Sequence, residues 1–232
     1  MKKKVLILGA SSTIGLSLIT LLVKKNNYNL NLHYFKNYNF LKKYNKICNL
    51  IKLDFALSSI SEIENKFDNN YDIIINLIGY IDNNTFKNFT IEKMHQSLKI
   101  NSILPWIIIR MSMQHMRNKK WGKIINTSSI GVDYGGGINS FNYSISKYVN
   151  EFIPIEIKKH FKFNIFYNVL KIGITETKIH NKIYNKSLKK RIKLVPMKKI
   201  AKPIDIANYI DFLISDLNKF INGQIIKISG GE

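Results

Sequence analysis

A tyrosine and a lysine stand four residues apart in the segment Tyr143-Ser144-Ile145-Ser146-Lys147. On a helix this spacing places the phenol and the ammonium group on one face. A nearby positive charge favours the phenolate form and lowers the pKa of a tyrosine, so Tyr143 is expected to exchange a proton near neutral pH. The spacing alone does not identify a site, because this lysine-rich chain repeats it at Tyr38/Lys42 and Tyr167/Lys171.

The surrounding sequence distinguishes Tyr143 from the other two tyrosines. An apolar run that ends in Asn126-Thr127-Ser128-Ser129 comes before it, and a loop with three consecutive glycines lies between. Only this copy of the pair therefore has a hydroxyl group upstream that is placed to meet a substrate oxygen. Ser129 is the first candidate for that role, and Ser128 is the weaker one.

A turn of small residues lies near the amino terminus, between a predicted strand and a predicted helix. Its sequence is Gly9-Ala10-Ser11-Ser12-Thr13-Ile14-Gly15. Small residues let the backbone approach a pyrophosphate, and a helix N-terminus offers unpaired N–H donors and a positive dipole. The turn predicts a phosphate-binding loop, although glycine-bearing turns of this kind also occur for packing alone.

The end of the second predicted strand indicates which nucleotide such a loop would hold. The strand ends in His33-Tyr34-Phe35-Lys36, and no Asp or Glu precedes Asp54 in the chain. A carboxylate at this point accepts hydrogen bonds from the ribose hydroxyls of NAD and repels the 2′-phosphate of NADP. Its absence, with Lys36 available to pair with a 2′-phosphate, favours NADP(H), and NAD(H) is the alternative.

Apolar runs of strand length alternate with helical stretches along the whole chain. The predicted strands are Val5–Leu8, Leu30–Tyr34, Ile47–Leu53, Asp72–Leu77, Lys123–Thr127, Ile165–Leu170 and Gln224–Ile228. The predicted helices are Thr13–Lys25, Ser58–Phe67, Ile91–Met116, Asn142–His160 and Ile204–Ser215. This alternation predicts an α/β fold of the doubly wound Rossmann type, with a mostly parallel seven-stranded sheet and helices on both faces. No linker or repeat divides residues 1–232, so we expect one domain.

Composition limits the class of protein. With 45% hydrophobic and 22% charged residues the chain is of globular type, and a single cysteine, Cys48, fits a reducing cytoplasm. The uncharged stretch Val5–Val23 lies between lysines as a membrane span would. It holds seven Gly, Ser and Thr residues, however, so we expect no membrane segment there.

The net charge of +21 raises the question of a nucleic-acid partner. The chain contains 41 Ile, 33 Lys and 28 Asn but only 3 Arg. Residues with A/T-rich codons dominate, so base composition explains the lysines. Nucleic-acid sites favour arginine forks, and we therefore expect no nucleic-acid partner.

In order along the chain, these segments resemble the short-chain dehydrogenase/reductase family, and the resemblance covers almost the entire sequence. The matching segments are the turn Gly9–Gly15, Asp54, Asn76–Gly79, Asn101, the trio Ser129, Tyr143 and Lys147, Asn168–Thr177, Pro203–Asp216 and Asn222–Gly231. Departures from the family pattern are Thr13 in place of a glycine, the bulky Leu77 and Ile78, and Ile172 in place of a proline.

The resemblance implies a role for each matching residue. Hydride would pass from the nicotinamide to a carbonyl carbon while Tyr143 gives a proton to the oxygen that Ser129 holds. Lys147 would lower the Tyr143 pKa and bind the nicotinamide ribose, and Asn101 would support a water that reprotonates Lys147. The resemblance also implies a set of cofactor-binding residues, namely Gly9, Ser11, Ser12, Thr13, Ile14, Gly15, Lys36, Asp54, Asn76, Gly79, Tyr143, Lys147, Gly173, Ile174 and Thr177.

The substrate is less defined than the reaction. The resemblance is closest to 3-oxoacyl-acyl-carrier-protein reductases, with reductases of sugar or polysaccharide precursors second and a non-catalytic nucleotide-binding scaffold third. From Lys178 to Lys199, 9 of 22 residues are Lys or Arg, which fits an anionic substrate or simply a solvated basic segment. His180 in this segment is a weak candidate for substrate contact. By likeness to the family we expect a homotetramer or homodimer.

Overall fold

A seven-stranded parallel sheet forms the centre of the computed structural model, which describes residues 2–177 and 188–232. The strands lie in the order β3-β2-β1-β4-β5-β6-β7. Their bounds are β1 Lys3–Leu8, β2 Tyr28–Tyr34, β3 Asn49–Lys52, β4 Ile73–Asn76, β5 Gly122–Ser129, β6 Ile165–Ile172 and β7 Ile225–Ile228. The predicted doubly wound fold is confirmed.

The strands form where apolar residues follow one another without interruption. In β4, Ile73, Ile74 and Ile75 are all fully buried, as expected for a strand that is covered on both faces. Along β1, Val5 and Ile7 pack into one core cluster while Leu6 and Leu8 pack into the other. This alternation divides the hydrophobic core between the two faces of the sheet.

Nine α-helices in the described part of the chain cover the sheet. They are α1 Thr13–Lys25, α2 Tyr38–Leu41, α3 Ile60–Lys66, α4 Ile91–Leu98, α5 Leu104–Lys119, α6 Phe141–Val149, α7 Ile155–Lys159, α8 Leu188–Leu194 and α9 Pro203–Ile214. Helices α1 and α9 bury their apolar sides in one core cluster, and α3 and α5 in the other. No described helix is long and apolar enough to cross a membrane, and Val5–Val23 is divided between β1, a turn and α1.

Two predicted helices are each interrupted in the structure. The predicted helix Ile91–Met116 contains a π-helical segment, Lys99–Ile103, between α4 and α5. The predicted helix Asn142–His160 ends at Val149, and α7 starts after Pro154. Proline lacks the N–H that an interior helical position requires and disfavours helical backbone in the residue before it, which explains the second interruption.

The order of the strands determines where a ligand can bind. Strand β1 pairs with β2 on one side and with β4 on the other, so successive crossovers run in opposite directions from this point. Connections on the two sides of β1 diverge and leave a crevice beyond the carboxyl ends of the strands. The turn after β1 and the loops after β4, β5 and β6 all end at this crevice.

Candidate active site

A cleft of about 870 Å³ opens at the carboxyl ends of the strands. Both halves of the sheet contribute to its wall. The sequence-predicted residues that line it are Gly9, Ser11, Ser12, Thr13, Ile14, Lys36, Asp54, Gly79, Ser129, Tyr143, Lys147, Gly173 and Thr177. The structure thus brings together residues that are up to 168 positions apart in the sequence.

The turn after β1 forms one end of the cleft. Gly9 has a φ of +74°, and a Cβ atom there would lie 3.0 Å from the carbonyl carbon of Leu77. Ser12 caps α1 by accepting a hydrogen bond from the Gly15 N–H at 3.1 Å. No acidic residue lies in the first turn of α1, so nothing there neutralises the positive end of the helix dipole. Ser11, Ser12, Thr13 and Ile14 line the cleft at this end, and the N-terminus of a helix is where unpaired N–H donors are available to an anion.

Gly15, Asn76 and Ile174 were expected to contact a dinucleotide, but the structure places them behind the wall of the cleft. A Cβ on Gly15 would lie 2.5 Å from the carbonyl oxygen of Ala10, so this glycine serves the packing of α1 against the turn. The amide of Asn76 donates to Asn126 at 2.8 Å and accepts from the Ile78 N–H at 3.1 Å. Ile174 is buried, and its carbonyl accepts from the Ala201 N–H at 3.0 Å. These three residues shape the wall and do not form its surface.

His33, which the sequence analysis did not single out as a site residue, lines the cleft beside the turn. Its ring stacks on Phe55 with centroids 4.4 Å apart, and Nδ1 accepts from the Gly9 N–H at 3.4 Å. Nε2 therefore carries the proton and donates to the carbonyl oxygen of Leu53 at 3.1 Å. Burial lowers the pKa of His33 to about 4, so the ring is neutral at pH 7. The sequence feature that could have identified His33 is its polar ring within the otherwise apolar end of β2.

Tyr143, Ser129 and Lys147 meet at the other end of the cleft. The Tyr143 hydroxyl shares a hydrogen bond with the Ser129 side chain, and the Lys147 Nζ lies 5.9 Å from the centre of the Tyr143 ring. The Lys147 Nζ donates to the carbonyl oxygens of Ile78 at 2.7 Å and Thr127 at 3.1 Å. Helix α6 supplies Tyr143 and Lys147 one turn apart, while the end of β5 supplies Ser129.

The expected decrease of the Tyr143 pKa is not found. Burial raises the pKa of Tyr143 to about 12, and its hydrogen bond with Ser129 opposes this only in part. Burial also lowers the pKa of Lys147 to about 7, so a large fraction of this lysine is neutral at pH 7. The expectation relied on a charged lysine beside the phenol, whereas loss of hydration outweighs that attraction at Tyr143.

The two candidate serines point in different directions, as neighbours on a strand do. Ser129 accepts from the Gly131 N–H at 3.2 Å and lies beside the Tyr143 hydroxyl. Ser128 donates instead to a carboxylate oxygen of Glu151 at 2.6 Å. The geometry therefore favours Ser129 as the group that contacts a substrate oxygen.

Asn101 is fully buried within the π-helical segment and does not reach the surface of the cleft. Its side chain accepts from the Tyr80 N–H at 2.8 Å and donates to the Ser146 hydroxyl at 2.8 Å. Its backbone carbonyl accepts from Asn150 at 3.0 Å, and Asn150 also donates to the Thr127 carbonyl that Lys147 contacts. The side chain of Asn101 thus joins the loop after β4 to α6, and its link to Lys147 runs through Asn150.

One further expectation concerns the basic segment that follows Thr177. His180 and the first half of the basic segment Lys178–Lys199 lie outside the described residues. Among residues 2–177 and 188–232, no group of three or more His, Cys, Asp or Glu side chains is arranged to hold a metal ion. The described cleft thus has the N-terminus of a helix at one end and a phenol with a hydroxyl partner at the other.

Comparison with known proteins adds relatives that share this architecture. The sequence model of a protein family described as enoyl-(acyl carrier protein) reductase matches residues 47–232. A 3-oxoacyl-[acyl-carrier-protein] reductase from Aquifex aeolicus is 27% identical over 185 residues, which are 79% of this chain and 73% of the relative.

Two solved structures superimpose over nearly their whole length. A 4-hydroxyisoleucine dehydrogenase in complex with NADH is 25% identical, with a TM-score of 0.86 and 99% of this chain and 98% of the other covered. The protein ElxO with NADP bound is 24% identical, with a TM-score of 0.82 and 100% and 98% covered.

Proposed function

The chain is an oxidoreductase of the short-chain dehydrogenase/reductase family, and we propose that it uses NADP(H) to reduce the carbonyl group of a 3-oxoacyl thioester on a carrier protein. One observation carries the reaction type. The Tyr143 hydroxyl, hydrogen-bonded to Ser129, lies in the same cleft as the open N-terminus of α1. A cleft that binds phosphate at one end and offers a proton at the other suits transfer between a dinucleotide and a carbonyl compound.

The residues of the cleft fit a dinucleotide. The turn from Gly9 to Ile14 would hold the pyrophosphate, since Gly9 has no Cβ and Ser11, Ser12 and Thr13 line the cleft at the N-terminus of α1. Asp54 would contact the adenine, and Lys147 the ribose of the nicotinamide half. Gly173 and Thr177 would contact the nicotinamide carboxamide. When bound, the cofactor supplies a hydride.

Tyr143 supplies the proton that completes the reduction. With a pKa of about 12 the phenol is protonated at neutral pH, which is the state that a proton donor needs. As the carbonyl carbon accepts hydride, negative charge develops on the oxygen; Ser129 stabilises this charge by donating a hydrogen bond, and the Tyr143 proton passes to the oxygen to give the alcohol. The resulting phenolate favours the charged form of Lys147, which would return a proton from solvent by way of the Asn101 region.

The choice of NADP(H) rests on residues of this chain. Tyr34, Phe35 and Lys36 occupy the end of β2 and the start of the next loop, where a carboxylate would repel a 2′-phosphate. Lys36 is exposed at the rim of the cleft and would pair with that phosphate. The ElxO structure holds NADP, whereas the 4-hydroxyisoleucine dehydrogenase holds NADH, so NAD(H) is the alternative to be measured.

The choice of substrate rests on the relatives. Both the family model and the Aquifex aeolicus protein are described as reductases of acyl groups on acyl carrier protein. We also propose that residues 1–232 form one domain that assembles into a homodimer or homotetramer. Tyr148, near the end of α6, and Phe152, after this helix, are about two-thirds exposed, which fits contact with a second copy.

The test is a spectrophotometric assay of purified protein with NADPH or NADH and a panel of 3-oxoacyl thioesters and sugar ketones. We expect Tyr143→Phe to reduce kcat by about 10²–10⁴-fold while the Kd for NADPH stays within about twofold of the wild-type value. Tyr71→Phe is the control, because Tyr71 also has a pKa raised to about 12, but its hydroxyl accepts from the Asp68 N–H before β4.

The outcomes separate the alternatives. Turnover by Tyr143→Phe within about threefold of wild type would show that another group donates the proton. A wild-type protein that binds NADPH but reduces no carbonyl compound would favour the nucleotide-binding scaffold. Preference for sugar ketones would replace the thioester as substrate and leave the reaction type intact.

A further inference from the structure

Four charged side chains form a cluster beside the carboxyl ends of β5 and β6. They are Asp133, Glu151, Lys171 and Lys227, and we call them the four-charge cluster. They come from the turn after β5, the segment after α6, strand β6 and strand β7. None of the reaction steps above uses them.

Lys171 lies at the centre of the four-charge cluster. Its Nζ contacts Asp133 Oδ1 and lies 2.9 Å from Glu151 Oε2, and Lys227 Nζ lies 2.6 Å from Asp133 Oδ2. The Lys171 side chain is only 7% exposed and that of Glu151 11%. Contact with the two lysines lowers the pKa of Asp133, and contact with the two carboxylates raises the pKa of Lys171. The Asp133 and Lys227 side chains are 27% and 53% exposed, so the cluster has a buried end at Lys171 and Glu151 and a solvent-exposed end at Lys227.

The cluster is attached to β5 at the residue before Ser129. The Ser128 hydroxyl donates to Glu151 Oε1 at 2.6 Å. In the β5–β6 ladder Ser128 pairs with Lys171, and Ser129 pairs with Ile172. Glu151 therefore holds Ser128, the residue directly before Ser129, through a side-chain hydrogen bond. Lys171 holds Ser128 through the pairing of β5 with β6.

The cluster is also attached to the chain after Ser129. Asp133 belongs to the 3-10 turn Ile130–Tyr134, which Ser129 caps through the Gly131 N–H. Lys171 and Lys227 hold Asp133 from β6 and β7. Ser129 thus stands between two attachments to one ionic cluster, while its own hydroxyl faces Tyr143 on the opposite side of the strand.

We propose that Glu151 and Lys171 are positioning residues for the reduction: through Ser128 and Asp133 they hold Ser129 at the distance from Tyr143 that the substrate oxygen requires. This inference rests on the proposed function. Removal of Glu151 takes away one of the two carboxylate partners of the buried Lys171 and the acceptor of the Ser128 hydroxyl, so the contacts of Lys171 and Ser128 must readjust. These contacts hold the segments that flank Ser129, and a small displacement of a catalytic group lowers turnover strongly.

The experiment compares Glu151→Ala, Ser128→Ala and the double variant with wild type. We expect Glu151→Ala to reduce kcat by roughly tenfold while the Kd for NADPH changes less than about twofold, because the turn after β1 lies at the other end of the cleft. Since Ser128 and Glu151 act through one hydrogen bond, the double variant should lose no more than Glu151→Ala alone. Glu151→Gln keeps an acceptor for the Ser128 hydroxyl and should recover part of the lost kcat.

A matched control distinguishes positioning from general stability. Asp72 is another buried carboxylate with a lysine partner, Lys119, but it lies at the amino ends of the strands. Asp72→Asn should lower the Tm as Glu151→Ala does and leave kcat unchanged. Where Glu151→Ala does not fold, Ser128→Ala tests the proposal instead. This variant should lower kcat, and its combination with Glu151→Gln should recover none of that loss.

Each remaining result counts against the inference. It is overturned if Glu151→Ala retains kcat within about twofold of wild type, or if the losses in Ser128→Ala and Glu151→Ala add, since additive losses would mean that Ser128 acts on the substrate directly. A wild-type protein with no NADPH-dependent reduction of any carbonyl overturns the proposed function and this inference with it, whereas an active wild type confines the failure to the inference.

Discussion

Burial shifts the pKa values of Tyr143 and Lys147 in opposite directions. Tyr143 has a pKa of about 12 and Lys147 a pKa of about 7, both because the charged forms lose hydration. Both groups therefore favour their neutral forms in the nucleotide-free protein. Lys147 is satisfied by carbonyl oxygens of Ile78 and Thr127 and has no carboxylate partner among the described residues. Burial of a lysine without a carboxylate partner lowers the free energy of unfolding.

This arrangement predicts a pH dependence of stability. Between about pH 7 and pH 10, an unfolded chain binds a proton at Lys147 that the folded protein does not, so the free energy of unfolding rises with pH in that window. Lys147→Met lacks this contribution. We expect the variant to be more stable than wild type at pH 7, with the advantage shrinking by about 1–2 kcal/mol at pH 9.

Thermal or urea unfolding of the nucleotide-free proteins at the two pH values measures the effect. Lys123, whose burial lowers its pKa to about 8, contributes with the same sign in both proteins and cancels from the comparison. An advantage of Lys147→Met that is constant with pH would show that Lys147 is charged in the folded state.

Most of the reacting residues could be predicted because their types and order are informative. Tyr143, Lys147 and Ser129 stand in a segment whose order resembles a known family, and the structure brings them together. Their pKa values could not be predicted, because hydration depends on neighbours distant in sequence. The same limit applies to His33, whose partners Gly9, Leu53 and Phe55 belong to other segments.

At the scale of elements, the turn between β1 and α1 has the least tolerance for change. Gly9 combines a φ of +74° with close approach to the backbone of Leu77. An alanine there costs about 1–2 kcal/mol for the left-handed backbone alone, and its Cβ pushes the turn away from β4. We expect Gly9→Ala to lower the Tm and to raise the Kd for NADPH by about tenfold or more.

Calorimetric titration with NADPH measures this loss of affinity. Gly135→Ala is the control: Gly135 has a similar φ of +70°, but no atom lies within 4 Å of the position of its Cβ. It should show the strain of the backbone without the loss of nucleotide affinity. Equal affinities of Gly9→Ala and wild type would remove the turn from the binding site.

Element positions were predictable where patterns are strong and failed where a helix changes its hydrogen bonding. The predicted helix Thr13–Lys25 has the bounds of α1, with a serine cap before it and Asn26 in left-handed conformation after it. The π-helical segment Lys99–Ile103 was not predicted: it contains the weak helix formers Asn101 and Ser102, but such residues also occur within regular helices. Pro154 precedes α7, and proline disfavours helical backbone in the residue before it. A continuous helix over Asn142–His160 therefore could not form.

At the scale of the whole molecule, the excess of positive charge should strengthen cofactor binding through long-range electrostatic attraction. NADPH carries one phosphate more than NADH, and a chain with a net charge of +21 attracts the additional charge at a distance that salt controls. Raising the NaCl concentration from about 0.05 M to about 0.5 M should weaken NADPH binding by roughly tenfold and NADH binding much less.

Fluorescence titration at several salt concentrations tests this, with Lys36→Gln as the comparison. If Lys36 contacts the 2′-phosphate, the variant loses affinity for NADPH and retains its affinity for NADH. The same salt dependence for both nucleotides would assign the effect to the pyrophosphate alone and leave the preference for NADP(H) without support.

The doubly wound arrangement was predictable from the alternation of seven apolar runs with helical stretches, since few arrangements bury parallel strands on both faces. The distribution of charge was harder to interpret. Asp133, Glu151, Lys171 and Lys227 are separated by up to 94 positions, and only the ladder of β5, β6 and β7 brings them together. In a lysine-rich sequence nothing distinguishes such a lysine from a solvated one.

The pairing of β1 with β4 has a consequence for synthesis on the ribosome. The turn at Gly9 emerges early, yet Leu77 closes over it only after β4 has been made, and the strand that leads to Gly173 follows about a hundred residues later. A growing polypeptide therefore has no nucleotide pocket until most of its length is available. A dinucleotide that needs both ends of this cleft would therefore be captured only after β6 has been made.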